Sequence, residues 1–253
     1  MTQSICPKCR YQRQAIDHNI HPDICPSCGI VYSKFIAKYT QENIAHDADP
    51  ETDKHSEEEM LALRKQLIAA CLYVPERIDA GAFWARVACL VAFTLWGGYF
   101  ITGGVDWEKI GSSFMHLINL PFHEFGHILF MPFGEFMMFL GGSLFQVLLP
   151  LALMCVFVFI QRDTFAGSIT LWWCGQSFID VSPYIADAQY RALPLVGGGG
   201  EESHDWGNLL TMMDALDNTQ AIANCSFGIG AVLIIVAVVW GGWILKLQQK
   251  NVT

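Results

Sequence analysis

The chain has 253 residues, 53% of them hydrophobic and only 15% charged, with a formal net charge of −9. That balance argues against a nucleic-acid-binding surface. The N-terminal stretch MTQSICPKCR has no apolar core, so no cleavable signal peptide is expected. The first 80 residues are polar, whereas the rest carries long runs almost free of charge. The contrast predicts a mainly α membrane protein: a multi-span transmembrane helical bundle carrying a small soluble head.

The head is read from its cysteines. CPKC at 6–9 and CPSC at 25–28 are separated by 15 residues. Each CxxC turn aims two thiolates at one point, and Cys6, Cys9, Cys25 and Cys28 together complete a tetrahedron around a structural zinc ion. The expected module is a β zinc ribbon over residues 1–39. At about 40 residues it buries little core, so the metal would supply its folding energy. Reduced thiols place it in the cytoplasm, where its role is to bind a protein partner or simply to hold the head together. The other cysteines, Cys71, Cys89, Cys155, Cys174 and Cys225, lie mostly in apolar runs and read as small buried hydrophobes.

Residues 40–82 read as an acidic linker followed by an amphipathic helix. Positions 40–63 hold eight carboxylates and one lysine, a solvated tether. A helix is expected to start near Ser56, where SEEE makes a cap and first turn, and to stop before Pro75.

The membrane domain is assigned to residues 83–247, with four to six membrane segments. Apolar segments begin near Phe83 and cover 112–133, 136–160, 165–186 and 221–245. Arg64, Lys65, Arg77 and Arg86 precede the first and put the N-terminus in the cytosol. Five crossings would leave Lys246 and Lys250 outside, against the positive-inside trend. An even number restores it, for instance if part of 130–145 re-enters. MPFGEFMMFLGGS, with Pro132 and three glycines, is a candidate for irregular backbone there. Trp96, Trp107, Trp172, Trp173, Trp240 and Trp243 read as interface anchors.

Within the second segment stands FHEFGHILF, residues 122–130. Positions i and i+4 of a helix share a face, so His123 and His127 point the same way and can both ligate one zinc ion. Glu124 is placed to take a proton from a water that zinc activates, as general base. Without a metal, three such side chains would cost several kcal/mol in hydrocarbon.

HEFGH in this apolar setting resembles the site-2 protease class of intramembrane zinc metalloproteases, with Gly126 fitting that family's glycine before the second histidine. The likeness covers roughly residues 110–190. It implies a catalytic zinc below the membrane surface, a membrane-embedded protein or peptide substrate, and hydrolysis of peptide bonds in or near the bilayer. It also implies a third ligand, an aspartate from a later segment in a pattern of Asn and Pro followed by Leu-Asp-Gly. Here Pro183 with Ala186-Asp187-Ala188 comes nearest, which makes Asp187 the expected ligand and Asp180 its rival. The glycine and asparagine of the pattern are missing.

His204 is a further rival, able to complete the zinc site. The alternative is that Ser203 or Asp205 caps a helix starting at Trp206 and leaves His204 exposed. Glu201, Glu202, Asp205, Asp214 and Asp217 read as a solvated acidic stretch. The glycine run 197–200 lacks the lysine of a phosphate cradle. His116 shares the helix face of the motif, and Gln146 is expected to hydrogen-bond within the bundle. A non-catalytic zinc-binding membrane protein (a scaffold, a metal handler or a degenerate protease homologue) is the alternative to an enzyme.

Overall fold

The computed structural model describes residues 5–47, 50–194 and 203–253, and side chains are described outside 40–57. The glycine run 197–200, Glu201, Glu202 and the side chain of Ser56 lie outside the described residues. The chain divides into two compact units, Met1–Lys65 and Gln66–Thr253, each taken here by itself.

In the first unit the two CxxC turns are built alike. Cys6 N–H donates to the Tyr11 carbonyl and Cys25 N–H to that of Ile30, each at 2.9 Å. The residue after the second cysteine of each pair takes a left-handed conformation: Gly29 at φ 71° and Arg10 at φ 58°. Glycine does this without strain. Instead of ribbon strands, the described residues carry only two isolated antiparallel bridges, Ile5 with Gln12 and Ile24 with Val31. Each turn is therefore closed by a single bridging pair, too short to make a strand.

Helix α1 (Tyr32–Asp47) follows, then α2 (Pro50–Cys71). The acidic segment is thus largely helical, with α2 starting at Pro50 rather than near Ser56. Proline suits a first helical position, and the carboxylates that follow it in sequence favour a helix N-terminus.

The second unit is a bundle. Helix α3 (Ala80–Gly103) is capped by Asp79, which accepts the Ala82 N–H at 2.9 Å. Short α4 (Trp107–Gly111) leads into α5 (Phe114–Phe130), capped by Ser113. After a 3₁₀ turn, α6 (Glu135–Cys155) runs without a break through Gly141 and Gly142 and ends in a π turn at Gln161. The irregularity expected across 130–145 is confined to 131–134. Helix α7 (Thr164–Ala186) is the most buried, and short α8 (Asp205–Met212) and long α9 (Thr219–Gln248) complete the bundle.

Among the described residues, three helical stretches are long and apolar enough to cross a membrane: Ala80–Gly103, Glu135–Gln161 and Leu216–Asn251. Leu95 on α3 and Val232, Ile235 and Val239 on α9 are exposed, as suits a lipid-facing surface. Helix α5, with 17 residues, is at the lower limit for a span. Helix α7 is long enough but buries Gln176, Ser177, Asp180 and Ser182 within the bundle. Trp172, expected at an interface, is buried in the core against Phe93 and Phe100.

One end of the bundle is pinned by backbone and side-chain contacts. Ile78, before α3, bridges Val252, after α9. Arg86 on α3 pairs with Asp163, between α6 and α7, at 3.1 Å. The start of α3, the end of α6, the start of α7 and the end of α9 therefore share that end. The end of α3 and the start of α6 fall at the other, so α5, which links them, begins and finishes on the same side.

Candidate metal centre

Helix α5 leans its second half on the start of α6, and glycines make the approach possible. A Cβ on Gly141 would stand 2.6 Å from the Gly126 carbonyl oxygen. The crossing brings His123 and His127 against α6, and each imidazole finds an acceptor there. His127 Nδ1 lies 2.7 Å from the Met138 carbonyl, and His123 Nδ1 lies 3.2 Å from Gln146 Oε1. A carbonyl only accepts, so His127 carries its proton on Nδ1. Gln146 Nε2 donates to the Asp180 carboxylate at 2.8 Å, which fixes Oε1 as the atom facing His123. In their neutral form both histidines therefore present a bare Nε2, the arrangement of metal-ligating imidazoles.

Those two nitrogens meet a carboxylate. Asp205 Oδ2 lies 3.1 Å from His123 Nε2 and 3.3 Å from His127 Nε2. With metal–donor bonds of about 2.1 Å, tetrahedral ligands stand about 3.4 Å apart. Donor atoms at this spacing need a proton or a metal cation between them, and the trio could hold a metal ion.

Asp205 is the donor that the sequence reading left among the helix caps. It occupies the first turn of α8, and the true N-cap is His204. His204 is fully buried rather than exposed. Its Nδ1 accepts the Gly207 N–H at 3.0 Å, and its Nε2 donates to Asp187 at 3.3 Å. Burial holds its pKa below the ordinary value, which suits this neutral tautomer. Tyr184 adds a second hold, accepting the Asp205 N–H at 3.0 Å and donating to Oδ2 at 3.3 Å.

The three residues expected to compete as third ligand lie outside that trio and bond to its neighbours. Asp187 sits at the end of α7, where it accepts from Leu193 N–H and His204. Asp180 lies inside α7, bonded to His116, Asn119 and Gln146. His204 caps the helix that carries Asp205. A carboxylate 82 residues from His123, beyond a glycine run, gives no periodic signal; only its place beside a helix start was legible.

A cavity of ≈ 220 Å³ adjoins the trio. His123, His127 and Asp205 line it, with Glu124, His116 and Trp107. Glu124 is exposed to it. Three protein donors beside a cavity, with a carboxylate on its wall, have the form of a catalytic metal site that keeps one position open.

In the first unit, Cys6 and Cys28 sulfurs are 3.7 Å apart and those of Cys9 and Cys25 are 3.6 Å apart. A zinc–sulfur distance of about 2.3 Å implies a tetrahedral edge of about 3.8 Å. The four could hold a metal ion. Burial works to raise Cys25, but the Cys28 and Ser27 N–H groups outweigh it and hold the thiol at about 6. The Ile30 N–H works to lower Cys28, but burial and the neighbouring thiols push it up to about 12. Four thiolates side by side repel, and a bound cation removes the conflict.

No family model, curated protein or solved structure matches this chain.

Proposed function

We propose that the chain is a zinc metalloprotease of the membrane, similar to the site-2 class, in which His123, His127 and Asp205 hold the catalytic ion. One observation carries this reading: two imidazoles with their Nε2 atoms bared converge on one carboxylate oxygen beside a cavity walled by Glu124. Zinc held there would polarise a peptide carbonyl and activate water near neutral pH. Glu124 takes the proton from the attacking water and returns it to the leaving nitrogen. Gln146 and Met138 keep the two imidazoles in the ligating tautomer, while Tyr184 and His204 keep Asp205 in place. A second ion, held by Cys6, Cys9, Cys25 and Cys28, is structural.

Charge supports a placement in the bilayer. Arg77, Arg86, Arg162, Lys246 and Lys250 gather at the pinned end of the bundle, whereas at the cavity end Lys109 and Arg191 stand among Asp106, Glu108, Glu135 and Asp187. The positive-inside rule puts the pinned end in the cytosol. Helices α3, α6, α7 and α9 then make four crossings, both chain ends are cytosolic, and α5 re-enters. The cavity opens on the opposite, non-cytoplasmic side. Substrates are membrane proteins or peptides that present an extended segment there.

The test is Glu124→Gln in detergent-purified protein, incubated with a proteome-derived peptide library and read by mass spectrometry. The variant should keep its metal content and lose cleavage. Cleavage equal to wild type would show that the cleavage does not use Glu124 and overturn this mechanism; none by wild type with both metal ions bound would favour a non-catalytic zinc-binding protein.

A further inference from the structure

We infer that Asp180 is the positioning residue that makes His123 a metal donor, acting through Gln146. The inference rests on the reading that His123, His127 and Asp205 hold a metal ion. His123 can ligate through Nε2 only if its proton sits on Nδ1, and that requires an acceptor facing Nδ1. The acceptor is the amide oxygen of Gln146. An amide is ambiguous on its own: turned over, Gln146 would offer Nε2–H to His123, force the proton onto the histidine Nε2, and remove the donor pair.

Asp180 removes the ambiguity. Its Oδ2 accepts Gln146 Nε2–H at 2.8 Å, and a carboxylate cannot offer a hydrogen in return. The same oxygen accepts Asn119 Nδ2–H at 3.1 Å, and Oδ1 faces His116 Nδ1 at 3.1 Å. Asn119 is itself locked, because its Oδ1 accepts the Trp173 indole N–H at 2.8 Å and an indole only donates. Trp173 thus fixes the Asn119 amide, and Asp180, which accepts from both amides, independently fixes the Gln146 amide that faces His123. Asn119, Gln146 and Asp180 are all buried, the last two at the wall of the cavity. The aspartate that the family resemblance offers as a rival ligand acts on the site through Gln146.

The test uses the full chain in detergent, with Asp180→Ala, Asp180→Asn, Gln146→Leu and the Asp180→Ala/Gln146→Leu double variant. Two readouts are taken: zinc affinity of the histidine site by chelator competition, and the His123 tautomer by NMR in metal-free, ¹⁵N-histidine-labelled protein carrying Asp205→Ala, so that no carboxylate draws the proton to Nε2. Asp180→Ala should weaken zinc binding roughly tenfold or more and lose the pure Nδ1–H tautomer. Asp180→Asn keeps a carbonyl oxygen for Gln146 and should stay within about threefold of wild type. In the Gln146→Leu background, Asp180→Ala should add nothing further, because its route to His123 is gone. Equal losses in both backgrounds, or an unchanged tautomer in Asp180→Ala, would overturn the assignment. In the Asp205→Ala background the tautomer is read without metal, so a wild type that binds no zinc at His123, with an Asp180-dependent Nδ1–H tautomer in that background, would uphold the positioning role and refute the metal reading instead.

Discussion

Gly142 stands directly against His127: a Cβ on that glycine would lie 2.6 Å from His127 Nε2, and 2.7 Å from His123 Nε2. The glycine leaves room for the donor atoms themselves. Gly142→Ala should therefore displace both imidazoles and weaken zinc binding at this site by at least tenfold, since ligand orientation alone governs about that much. Gly98→Ala on α3 meets nothing within 4 Å and serves as the control that changes neither metal content nor folding. Chelator competition on the two variants side by side checks this.

The link from Asp187 through His204 to α8 predicts graded losses. His204→Ala removes the side-chain acceptor of the Gly207 N–H, worth about 1 kcal/mol at a helix N-cap, and frees the turn that carries Asp205. Zinc affinity should fall by roughly 10- to 100-fold without abolishing binding at saturating zinc. Asp187→Ala should follow the same pattern more weakly. Complete loss of the ion in either variant would mean that the residue is a ligand.

Much of this was legible in the sequence. The i, i+4 histidines, the glutamate beside them and the paired CxxC turns are local patterns, and helix geometry turns them directly into constellations. Asp205 was not legible, because its approach depends on a tertiary crossing and on a cap, His204, that a sequence rule would sooner have assigned to Ser203 or Asp205. The pair Gly141–Gly142 looked like a break in an apolar run. Its use is close packing against Gly126 within an unbroken helix, and composition alone does not separate those two uses of glycine.

In the head, folding and metal are coupled. The described core is small, built on Cys6, Cys25 and Tyr32. A strong zinc chelator, or Cys25→Ser, should unfold residues 5–47 and open them to protease. The bundle from Gln66 onward should stay resistant, with its helical signal unchanged. Limited proteolysis with peptide mapping reads both at once.

The charge placement predicts sidedness. A reporter active only outside the cytosol should be silent when inserted after Lys250 and active when inserted after Gly104, between α3 and α4. Activity at both positions would require an odd number of crossings and contradict the re-entrant placement of α5.

The most direct measurement is metal content per chain in detergent-purified wild type, Asp205→Ala and Asp187→Ala, each saturated with zinc and then desalted. Two ions in wild type, one in Asp205→Ala and two in Asp187→Ala would establish Asp205 as the ligand that completes the histidine site. Two ions retained by Asp205→Ala, with one lost from Asp187→Ala, would contradict the account at its centre.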